Sequence, residues 1–260
     1  MNKHRVLITG ASSGIGLELA KQFARGRYDL VLAARSEEKL KALAVELEGQ
    51  FGINCLVKSV DLSNWQNAAS LYQELHAHDI FIDVLVNNAG YGLYGEFSET
   101  NLEDEMSMID INIKALTALS KVFLPEMKSK NKGKILNVAS TAAFQPGPLM
   151  AVYYATKAYV LSFSEALENE LKGSGVTVTA LCPGPTKTGF ESRANLGDSK
   201  LFKSGVMDAE KVAKLGYEGL MDGKSVVIPG MKNKMLAQSS RFVPRKWVTA
   251  TVRSVQEKTR

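Results

Sequence analysis

Tyr153 and Lys157 lie four residues apart in a segment with a helical pattern, and Ser140 follows an apolar strand thirteen residues before Tyr153. Positions i and i+4 share one face of a helix, so the phenol and the ammonium can meet there. A neighbouring cation favours the phenolate and lowers the pKa of the phenol. A tyrosine tuned in this way can exchange a proton with a carbonyl or alcohol oxygen. Ser140 could hold the same oxygen, so these three residues form a candidate acid–base site.

Other residues are weaker candidates for this chemistry. Tyr154 competes with Tyr153, but only Tyr153 has a lysine four residues further on. His4, His76 and His78 lie at the amino terminus and on an early helix, far from the carboxyl ends of the predicted strands. The Tyr-xxx-Lys spacing also arises by chance, so the rest of the sequence has to supply the context.

Length and cysteine content limit the class of protein. The 260 residues suffice for one large α/β domain or two small ones. Cys55 and Cys182 have no metal-like spacing, so we expect buried thiols in a reducing compartment and no metal site. The chain opens with a short basic segment that runs directly into a strand, unlike a signal peptide. No apolar run approaches the ~20 residues that span a bilayer. We therefore expect a cytoplasmic protein without a transmembrane segment.

The positive charge is concentrated near the carboxyl terminus. The net charge is +5, and residues 224–260 contain nine Lys or Arg but only one acid, Glu257. Such a segment can attract nucleic acid, anionic lipid or a phosphorylated substrate, and it can equally be a solvated surface, which we favour. We find no nucleic-acid motif and expect no such partner. Residues 239–255 mix basic and apolar side chains, which could cover a partner, a membrane surface or the protein's own core.

Strand and helix patterns alternate along the chain. The predicted strands are 5–9, 30–34, 53–60, 84–87, 134–139, 176–181 and 225–228, and the predicted helices are 17–25, 37–50, 63–76, 101–128, 153–171 and 208–221. Thr100 and Glu103 indicate a capping box at the start of the fourth helix. The alternation predicts an α/β protein with a doubly wound, seven-stranded parallel sheet and helices on both faces. We expect a single domain over residues 1–260, with a substrate loop at about 186–207 and a basic extension at about 231–260.

A glycine-rich turn joins the first strand to the first helix. Its sequence is TGASSGIG at residues 9–16. Gly10 allows the tight turn and a close approach of the backbone to a phosphate, and Gly16 allows the helix to pack closely on the strand. The helix N-terminus offers free N–H groups and the positive end of a dipole to a pyrophosphate. The position at the first strand–helix junction favours a dinucleotide site over a plain turn.

Several motifs occur together in one order: TGASSGIG, NNAG at 87–90, Asn112, Ser140, Tyr153 with Lys157, and PG at 183–184. Together they resemble the short-chain dehydrogenase/reductase family over about residues 4–230. The resemblance implies a single NAD(P)-binding Rossmann-fold domain and an oxidoreductase with Asn112, Ser140, Tyr153 and Lys157 as catalytic residues. It implies that Asn112 distorts its helix and holds a water that links the lysine to solvent. It also implies that Lys157 binds the nicotinamide ribose.

The same resemblance implies the cofactor contacts. Asp61 would meet the adenine amino group and Leu62 would pack near the ring, although Asp61 could instead cap the helix that begins near Ser63. The small residues of NNAG would let the chain pass close to adenosine, and the PG segment would lie near the nicotinamide carboxamide. The expected cofactor residues are Gly10, Ser12, Ser13, Gly14, Ile15, Gly16, Arg35, Asp61, Leu62, Asn88, Ala89, Gly90, Tyr153, Lys157, Pro183, Gly184, Thr186 and Thr188.

The end of the second strand indicates which cofactor is used. An acid at this position pairs with the ribose hydroxyls of NAD, whereas an arginine accepts the 2′-phosphate of NADP. The strand ends at Arg35, while Asp29 lies at its other end and Glu37 and Glu38 lie on the following helix. The planar guanidinium of Arg35 suits a phosphate, although a strand-end arginine can also be an ordinary surface charge. We therefore expect NADP(H).

Apolar residues dominate the segments expected to bind the substrate. These segments are 91–97, 142–150 and 190–207, with Tyr91, Leu93, Tyr94, Phe144, Leu149, Met150, Phe190, Leu201 and Phe202 as the apolar residues. They favour a hydrophobic carbonyl substrate, although several could simply pack a lid. We expect NADPH-dependent reduction of a ketone or aldehyde.

Three other functions stay open at this point. The first is a non-catalytic, NADP(H)-binding regulatory or scaffold protein on the same fold. The second is a sugar-nucleotide epimerase or dehydratase, which usually has a longer chain. The third is alcohol oxidation with NAD. By resemblance, a homodimer or homotetramer would form through the helices at 101–128 and 153–171, and peripheral membrane contact also stays open.

Overall fold

Apolar runs form a parallel sheet in the computed structural model, which describes residues 4–194, 205–240 and 242–257. Seven strands follow the spatial order β3-β2-β1-β4-β5-β6-β9. They are β1 (Arg5–Thr9), β2 (Asp29–Ala34), β3 (Cys55–Ser59), β4 (Val84–Asn87), β5 (Gly133–Val138), β6 (Val176–Leu181) and β9 (Val226–Val227). Two further short strands, β7 (Thr186–Lys187) and β8 (Met207–Asp208), pair only with each other. The predicted seven-stranded parallel sheet is confirmed.

Helices connect the strands and cover both faces of the sheet. They are α1 (Gly14–Arg25), α2 (Glu37–Phe51), α3 (Gln66–Ala77), α4 (Leu102–Ile109), α5 (Leu116–Ser129), α6 (Ala151–Glu170), α7 (Phe190–Arg193), α8 (Ala209–Met221), α9 (Met231–Ser239) and α10 (Arg245–Gln256). A π-helical segment, Asp110–Ala115, joins α4 to α5, and a 3-10 turn, Thr141–Phe144, precedes α6.

Strand β1 illustrates how the sheet is buried on both sides. Val6 and Ile8 belong to the core beneath α1, α2 and α8. Leu7 points to the opposite face and belongs to the core beneath α3, α5 and α6. All three side chains have no exposed surface. A strand that is apolar on both faces is typical of a doubly wound sheet, because side chains alternate between the faces and each face meets a helix layer.

The strand order reverses direction between β1 and β4. The chain places β2 and β3 on one side of β1 and then returns to place β4 to β6 on the other side. The connections that follow β1 and β4 therefore diverge, and they leave a crevice at the carboxyl ends of these strands. Ligands of open α/β sheets bind at such a position, so the topology itself indicates where the site lies.

A chain of buried polar side chains links the centre of the sheet to the helices. Asn87 on β4 donates hydrogen bonds from Nδ2 to Asn137 Oδ1 at 2.9 Å and to Ser120 Oγ at 3.1 Å. Asn137 on β5 in turn donates to Ser164 Oγ at 2.9 Å. The Asn87 Oδ1 atom has no partner among the described residues. The network ties β4 and β5 to α5 and α6 directly beneath the crevice.

A second polar cluster lies at the amino-terminal edge of the sheet. Asp83 is 8% exposed and accepts a hydrogen bond from the Arg5 N–H at 2.8 Å and another from His4 Nδ1 at 3.1 Å. Lys132 forms an ion pair with the same carboxylate. Burial alone would raise the pKa of Asp83, but these donors outweigh it and hold the pKa below its usual value.

Several predicted boundaries change in the structure. The capping box at Thr100 is wrong, because Asn101 is the N-cap and its side chain accepts from the N–H groups of Glu103 and Asp104. An asparagine satisfies two orphan donors at this helix start. The long predicted helix is divided by the π-helical segment, and α1 begins at Gly14, within the glycine-rich turn. The helices α9 and α10 occupy a stretch in which we predicted no helix or strand.

Candidate active site

A cleft of about 610 Å³ opens at the carboxyl ends of β1 and β4. The glycine-rich turn, the ends of β2, β4 and β5, helix α6, the segment 183–190 and the two C-terminal helices line it. Of the eighteen expected cofactor residues, all except Gly16 and Asp61 lie on its wall. Three of the four expected catalytic residues, Ser140, Tyr153 and Lys157, also line it, whereas Asn112 lies behind the wall.

The glycine-rich turn is held in a conformation that only small residues permit. Gly10 has a φ of 65°, in the left-handed region. A Cβ atom on Gly16 would lie 2.3 Å from the Gly10 carbonyl oxygen and 2.4 Å from Asn88 Nδ2. Gly16 therefore serves close packing, as predicted, while its expected contact with the cofactor stays a prediction. Ser12, Ser13 and Gly14 line the cleft where α1 begins, so the free N–H groups of this helix start are available to an anion.

The loop after β4 is fastened to the glycine-rich turn. Thr9 Oγ1 accepts hydrogen bonds from the backbone N–H groups of Asn88 and Ala89, both at 3.0 Å. Asn88 Nδ2 donates to the Thr9 carbonyl at 2.9 Å. Asn88, Ala89 and Gly90 all line the cleft, and Leu62 lines it from the loop after β3. These contacts hold two adjacent walls at a fixed separation, which suits a rigid, flat ligand such as a nucleoside.

The hydrogen bonds of Asp61 contradict one of its two predicted roles. Its Oδ1 accepts from the Ser63 backbone N–H at 3.0 Å and from Ser63 Oγ at 2.9 Å, and these bonds lower its pKa. The capping role is wrong, because α3 begins at Gln66, whose N–H donates to Asn64 Oδ1. Asp61 is exposed and does not line the cleft. Its contact with an adenine stays a prediction.

Two cations lie on the cleft wall at the end of β2. Arg35 and Lys39 are exposed and line the cleft together with Ser36. The positive charge of Arg35 also contributes to lowering the pKa of Asp61. Lys39 was not identified from the sequence, although its spacing of four residues from Arg35 could have revealed it. A pair of cations beside a ribose position is a suitable site for a phosphate group.

Tyr153 and Lys157 meet on α6 at the inner end of the cleft. The side chains are 9% and 7% exposed, and Lys157 Nζ lies 5.8 Å from the centroid of the Tyr153 ring. Nζ donates a hydrogen bond to the Val138 carbonyl at 2.8 Å. The Ser140 side chain forms a hydrogen bond with Tyr153 and also accepts from the Ala142 N–H at 3.1 Å. The structure thus brings the three predicted groups together.

The protonation of this group differs from the simple expectation. Burial raises the pKa of Tyr153, and the hydrogen bond with Ser140 opposes this rise without cancelling it. Burial also lowers the pKa of Lys157 to about 8. The expected lowering of the phenol pKa by the lysine is not found, and loss of hydration raises this pKa instead. Further positive charge beside the ring is needed to lower the pKa of the phenol towards neutral pH.

Asn112 supports the site from the π-helical segment. The side chain is 2% exposed and donates from Nδ2 to the Tyr91 carbonyl at 2.9 Å and to Thr156 Oγ1 at 3.0 Å. Its Oδ1 accepts from the Tyr91 N–H at 3.1 Å. The distorted helix that the resemblance implied is present. Asn112 thus fixes the loop after β4 against α6, while its expected water stays a prediction.

The segment after β6 crosses the open side of the glycine-rich turn. The Pro183 carbonyl accepts from the Thr141 N–H at 2.8 Å and from Ser140 Oγ at 3.4 Å. Thr186 Oγ1 donates to the Gly184 carbonyl at 2.8 Å. A Cβ on Gly14 would lie 3.2 Å from Thr188. The expected residues of this segment therefore line the cleft between the turn and the Tyr–Lys pair.

The opposite side of the cleft is mainly apolar. Of the predicted substrate residues, Tyr91, Met150 and Phe190 line it. The predictions for Leu93, Tyr94, Phe144 and Leu149 are wrong, because these side chains are not part of the cleft wall. Leu201 and Phe202 lie outside the described residues.

The C-terminal helices complete the apolar side. Leu236 and Ala237 of α9 line the cleft, as do Val252, Val255 and Gln256 of α10. Part of the extension therefore covers the protein's own site. The recurrence of Val248, Val252 and Gln256 at every fourth position is the sequence signal that could have revealed α10.

Gln256 anchors the end of α10 beside the predicted acid–base group. Its side chain is 1% exposed and donates a hydrogen bond from Nε2 to the Tyr154 hydroxyl. The Gln256 backbone carbonyl accepts a hydrogen bond from the Tyr94 hydroxyl at 3.1 Å. Tyr154 and Tyr94 were named from the sequence only as a rival base and a substrate contact. In the structure they hold the last helix in place.

The part of the chain that the structure describes holds no helix both long and apolar enough to cross a membrane. The same residues contain no cluster of three or more His, Cys, Asp or Glu side chains that could hold a metal ion. Both cysteines are free thiols, and burial raises the pKa of each to about 12. Cys182 is buried as predicted, whereas Cys55 is only partly buried.

A nucleotide-sized cleft that ends at a buried acid–base group is the arrangement of a nicotinamide-dependent oxidoreductase. Comparison with known proteins gives the family. The model of the family described as short chain dehydrogenase matches residues 4–198. The chain belongs to the short-chain dehydrogenase/reductase family and is an oxidoreductase that acts on small molecules.

Similar proteins cover most of the chain. The NADP-dependent 3-hydroxy acid dehydrogenase of Schizosaccharomyces pombe is 34% identical over 230 residues, or 86% of this chain and 89% of that protein. A short-chain dehydrogenase from Sphingobium yanoikuyae in complex with NADPH has a TM-score of 0.83 and 33% identity over 98% of both chains. The bulky-bulky ketone specific alcohol dehydrogenase from Comamonas testosteroni has a TM-score of 0.79 and 30% identity over 93% of this chain and 94% of that chain.

Proposed function

We propose that this protein reduces a neutral, hydrophobic ketone or aldehyde to an alcohol, with NADPH as the hydride donor. One observation carries the proposal: Tyr153, Ser140 and Lys157 line one buried corner of the cleft, where Ser140 is a hydrogen-bond partner of Tyr153 and Lys157 Nζ lies 5.8 Å from the Tyr153 ring centroid. The same cleft extends past the glycine-rich turn to Arg35 and Lys39. A bound dinucleotide can therefore span from the cations to the acid–base group.

The cofactor is NADP(H). Arg35 and Lys39 supply two positive charges where the 2′-phosphate of the adenosine ribose would bind, and no acid lines the described part of the cleft. The relative from Schizosaccharomyces pombe is named as NADP-dependent, and the structure from Sphingobium yanoikuyae contains NADPH. Paired titrations with NADPH and NADH provide the test. Equal or tighter binding of NADH would show that the two cations do not select the phosphate.

The proposed roles of the catalytic residues follow from their positions. The Tyr153 hydroxyl gives its proton to the substrate oxygen in reduction and takes it back in oxidation. Ser140 Oγ donates a hydrogen bond to the same oxygen and stabilises the charge that develops there. The bound nicotinamide supplies the hydride and, when oxidised, the additional positive charge that the phenol requires. Reduction then proceeds as one proton from the protein and one hydride from the cofactor.

Lys157 and Asn112 support this proton transfer. The pKa of Lys157 is about 8, so near neutral pH its ammonium readily exchanges a proton. We propose that it restores the Tyr153 proton and binds the nicotinamide ribose. Asn112 holds the Tyr91 backbone and, through Thr156, helix α6 in position. We expect the water beside Lys157 to connect this ammonium to solvent.

The lining of the cleft supports a neutral substrate. Arg35, Lys39 and Lys157 are the charged side chains on its described wall, and all three lie on the side assigned to the cofactor. A substrate carboxylate would therefore lose its hydration without gaining a cation among these residues. The apolar wall formed by Tyr91, Met150 and the C-terminal helices suits a bulky hydrophobic carbonyl instead. The similar alcohol dehydrogenase from Comamonas testosteroni is named as specific for bulky-bulky ketones.

A carbonyl panel with NADPH tests this function. The panel contains bulky neutral ketones, each matched with an analogue that carries a carboxylate, and turnover is followed by loss of the absorbance of NADPH. We expect reduction of the neutral member of each pair and at least tenfold lower kcat/KM for the acid, because an unpaired buried charge costs well over 1.4 kcal/mol. Preference for the acids would refute the substrate class. NADPH binding without turnover of any carbonyl would instead support the regulatory or scaffold alternative.

We further propose one functional domain over residues 1–260, with a substrate loop at about 186–207, of which residues 195–204 lie outside the described part of the chain. The free thiols fit a reducing compartment, and we propose the cytoplasm. We also propose a homodimer or homotetramer formed through the helices within residues 101–128 and 153–171. Light scattering of the purified protein measures the number of copies directly.

A further inference from the structure

An apolar and basic surface surrounds the outer edge of the cleft. We define the C-terminal rim as the exposed residues of α9, α10 and their connection that do not line the cleft. Its apolar members are Met231, Met235, Phe242, Val243 and Trp247, which are 75%, 65%, 86%, 40% and 69% exposed. Its basic members are the exposed Lys232, Lys234, Arg245, Lys246 and Arg253, and the last of these forms ion pairs with Glu96 and Glu257. The rim therefore places large apolar side chains and cations side by side in water.

The rim adjoins the substrate side of the cleft. Leu236 of α9 lines the cleft and is also 57% exposed, and Val255 of α10 lines it and is 39% exposed. Both helices thus turn one face to the cleft and the other face to solvent. The inward face of α10 is buried through Val252 and Gln256, so it accounts for the packing of that helix. The outward apolar side chains have no such role.

The composition of the rim indicates what it contacts. Transfer of a large aromatic or thioether side chain from water into the boundary between lipid headgroups and acyl chains is favourable. Lysine and arginine beside such residues are attracted to anionic headgroups. The connection between α9 and α10 carries Phe242 and Val243 at its tip, with Arg245 and Lys246 directly after it. This is the arrangement of an interfacial anchor.

We propose that the C-terminal rim docks the protein on an anionic lipid surface, with the cleft mouth at the membrane. A second copy of the chain is the competing occupant. A two-fold contact through the rim would place the same cations opposite each other, because such an interface joins identical patches. Glu257 is the single acid in residues 224–260, so it cannot neutralise them. An anionic bilayer neutralises them and also accepts the apolar side chains.

Vesicle binding tests the proposal with the full chain. The protein is floated with vesicles of phosphatidylcholine alone and with vesicles containing about one third phosphatidylserine. We expect binding to the anionic vesicles and a marked loss in high salt, since exposed charges are screened. The Lys234→Gln/Lys246→Gln variant should bind about twenty-fivefold more weakly, from about fivefold for each cation. The Phe242→Ser/Trp247→Ser variant should bind the anionic vesicles at least tenfold more weakly.

A matched control separates the rim from general charge. The Lys128→Gln/Lys172→Gln variant removes the same charge from exposed residues near the amino-terminal edge of the sheet, opposite the cleft. It should bind anionic vesicles like the wild type, and thermal unfolding by circular dichroism confirms that each variant folds. An equal loss in this control would overturn the proposal, as would absence of wild-type binding at low salt. Fewer copies per particle in the Phe242→Ser/Trp247→Ser variant, by light scattering, would assign the rim to a second copy.

Discussion

Replacement of Lys157 by methionine should abolish turnover and yet stabilise the fold at neutral pH. Burial lowers the pKa of Lys157 from 10.5 to about 8. Each pKa unit corresponds to about 1.4 kcal/mol, so the buried ammonium costs the folded state roughly 3 kcal/mol near pH 7. Methionine fills a similar volume without a charge. The loss of the donor to the Val138 carbonyl offsets about 1–2 kcal/mol. We therefore expect a net gain of about 1–2 kcal/mol.

The pH dependence gives this prediction its sign. A lysine with a lowered pKa in the folded state is protonated more readily in the unfolded chain, so wild-type stability falls as the pH drops from 10.5 to about 8. The Lys157→Met variant lacks this pH-dependent contribution to the free energy of unfolding. Its advantage over the wild type should be greatest below about pH 8 and should vanish or reverse near pH 10.5.

Urea unfolding at about pH 7 and about pH 10 measures the difference, because the titrations of all other groups cancel between the two proteins. Lys172→Met, at an exposed position, is the control and should show no such trend. NADPH reduction assays on the same samples should show turnover only in the wild type and the control. A stability difference that is independent of pH, or a variant that is less stable by several kcal/mol at about pH 7, would refute the reasoning.

Three further outcomes are expected. Tyr153→Phe should lower kcat at least a hundredfold while NADPH affinity, measured by titration calorimetry, stays within about threefold; near-full activity would exclude Tyr153 as the proton donor. Arg35→Ser/Lys39→Ser should weaken NADPH binding by about ten- to a hundredfold and leave NADH binding unchanged, and parallel losses for both cofactors would contradict phosphate recognition. The lowered pKa of Asp83 gives stability that is present above its unfolded pKa, about 3.9, and is lost as the pH falls through the folded value. Asp83→Asn should therefore be less stable at about pH 7 and show a smaller loss in acid unfolding; an unchanged acid transition would exclude this contribution.

The parallel sheet could be predicted from sequence because its signals are local. Each strand is an apolar run next to a turn, and both faces of β1 are buried. The order of the catalytic motifs then gave Ser140, Tyr153 and Lys157, which the structure places together. Arg35 was identified for a similar reason, since the end of β2 marks its position.

What could not be predicted depends on contacts between distant parts of the chain. The last turn of α10 is fixed by Tyr94 and Tyr154, which lie 162 and 102 residues away from Gln256 in sequence. The recurrence of Val248, Val252 and Gln256 indicates a helix there, but it does not show whether that helix covers the cleft. The raised pKa of Tyr153 likewise follows from burial among several elements, which spacing along one helix does not reveal. The N-cap was predicted at Thr100 and lies at Asn101, because both neighbouring residues have side chains that can cap a helix.

The hydrogen-bonded asparagines in the centre of the sheet have a consequence for how this sequence can diverge. Replacing Asn137 by an apolar residue would leave one N–H of the buried Asn87 amide without an acceptor, beside an Oδ1 that already lacks a described partner. An unpaired buried donor costs about 1–3 kcal/mol, whereas exchanging both positions for apolar residues of similar shape removes that donor as well. Substitutions at 87 and 137 should therefore be inherited as a pair. An alignment of close relatives would display this as covariation between two neighbouring strands.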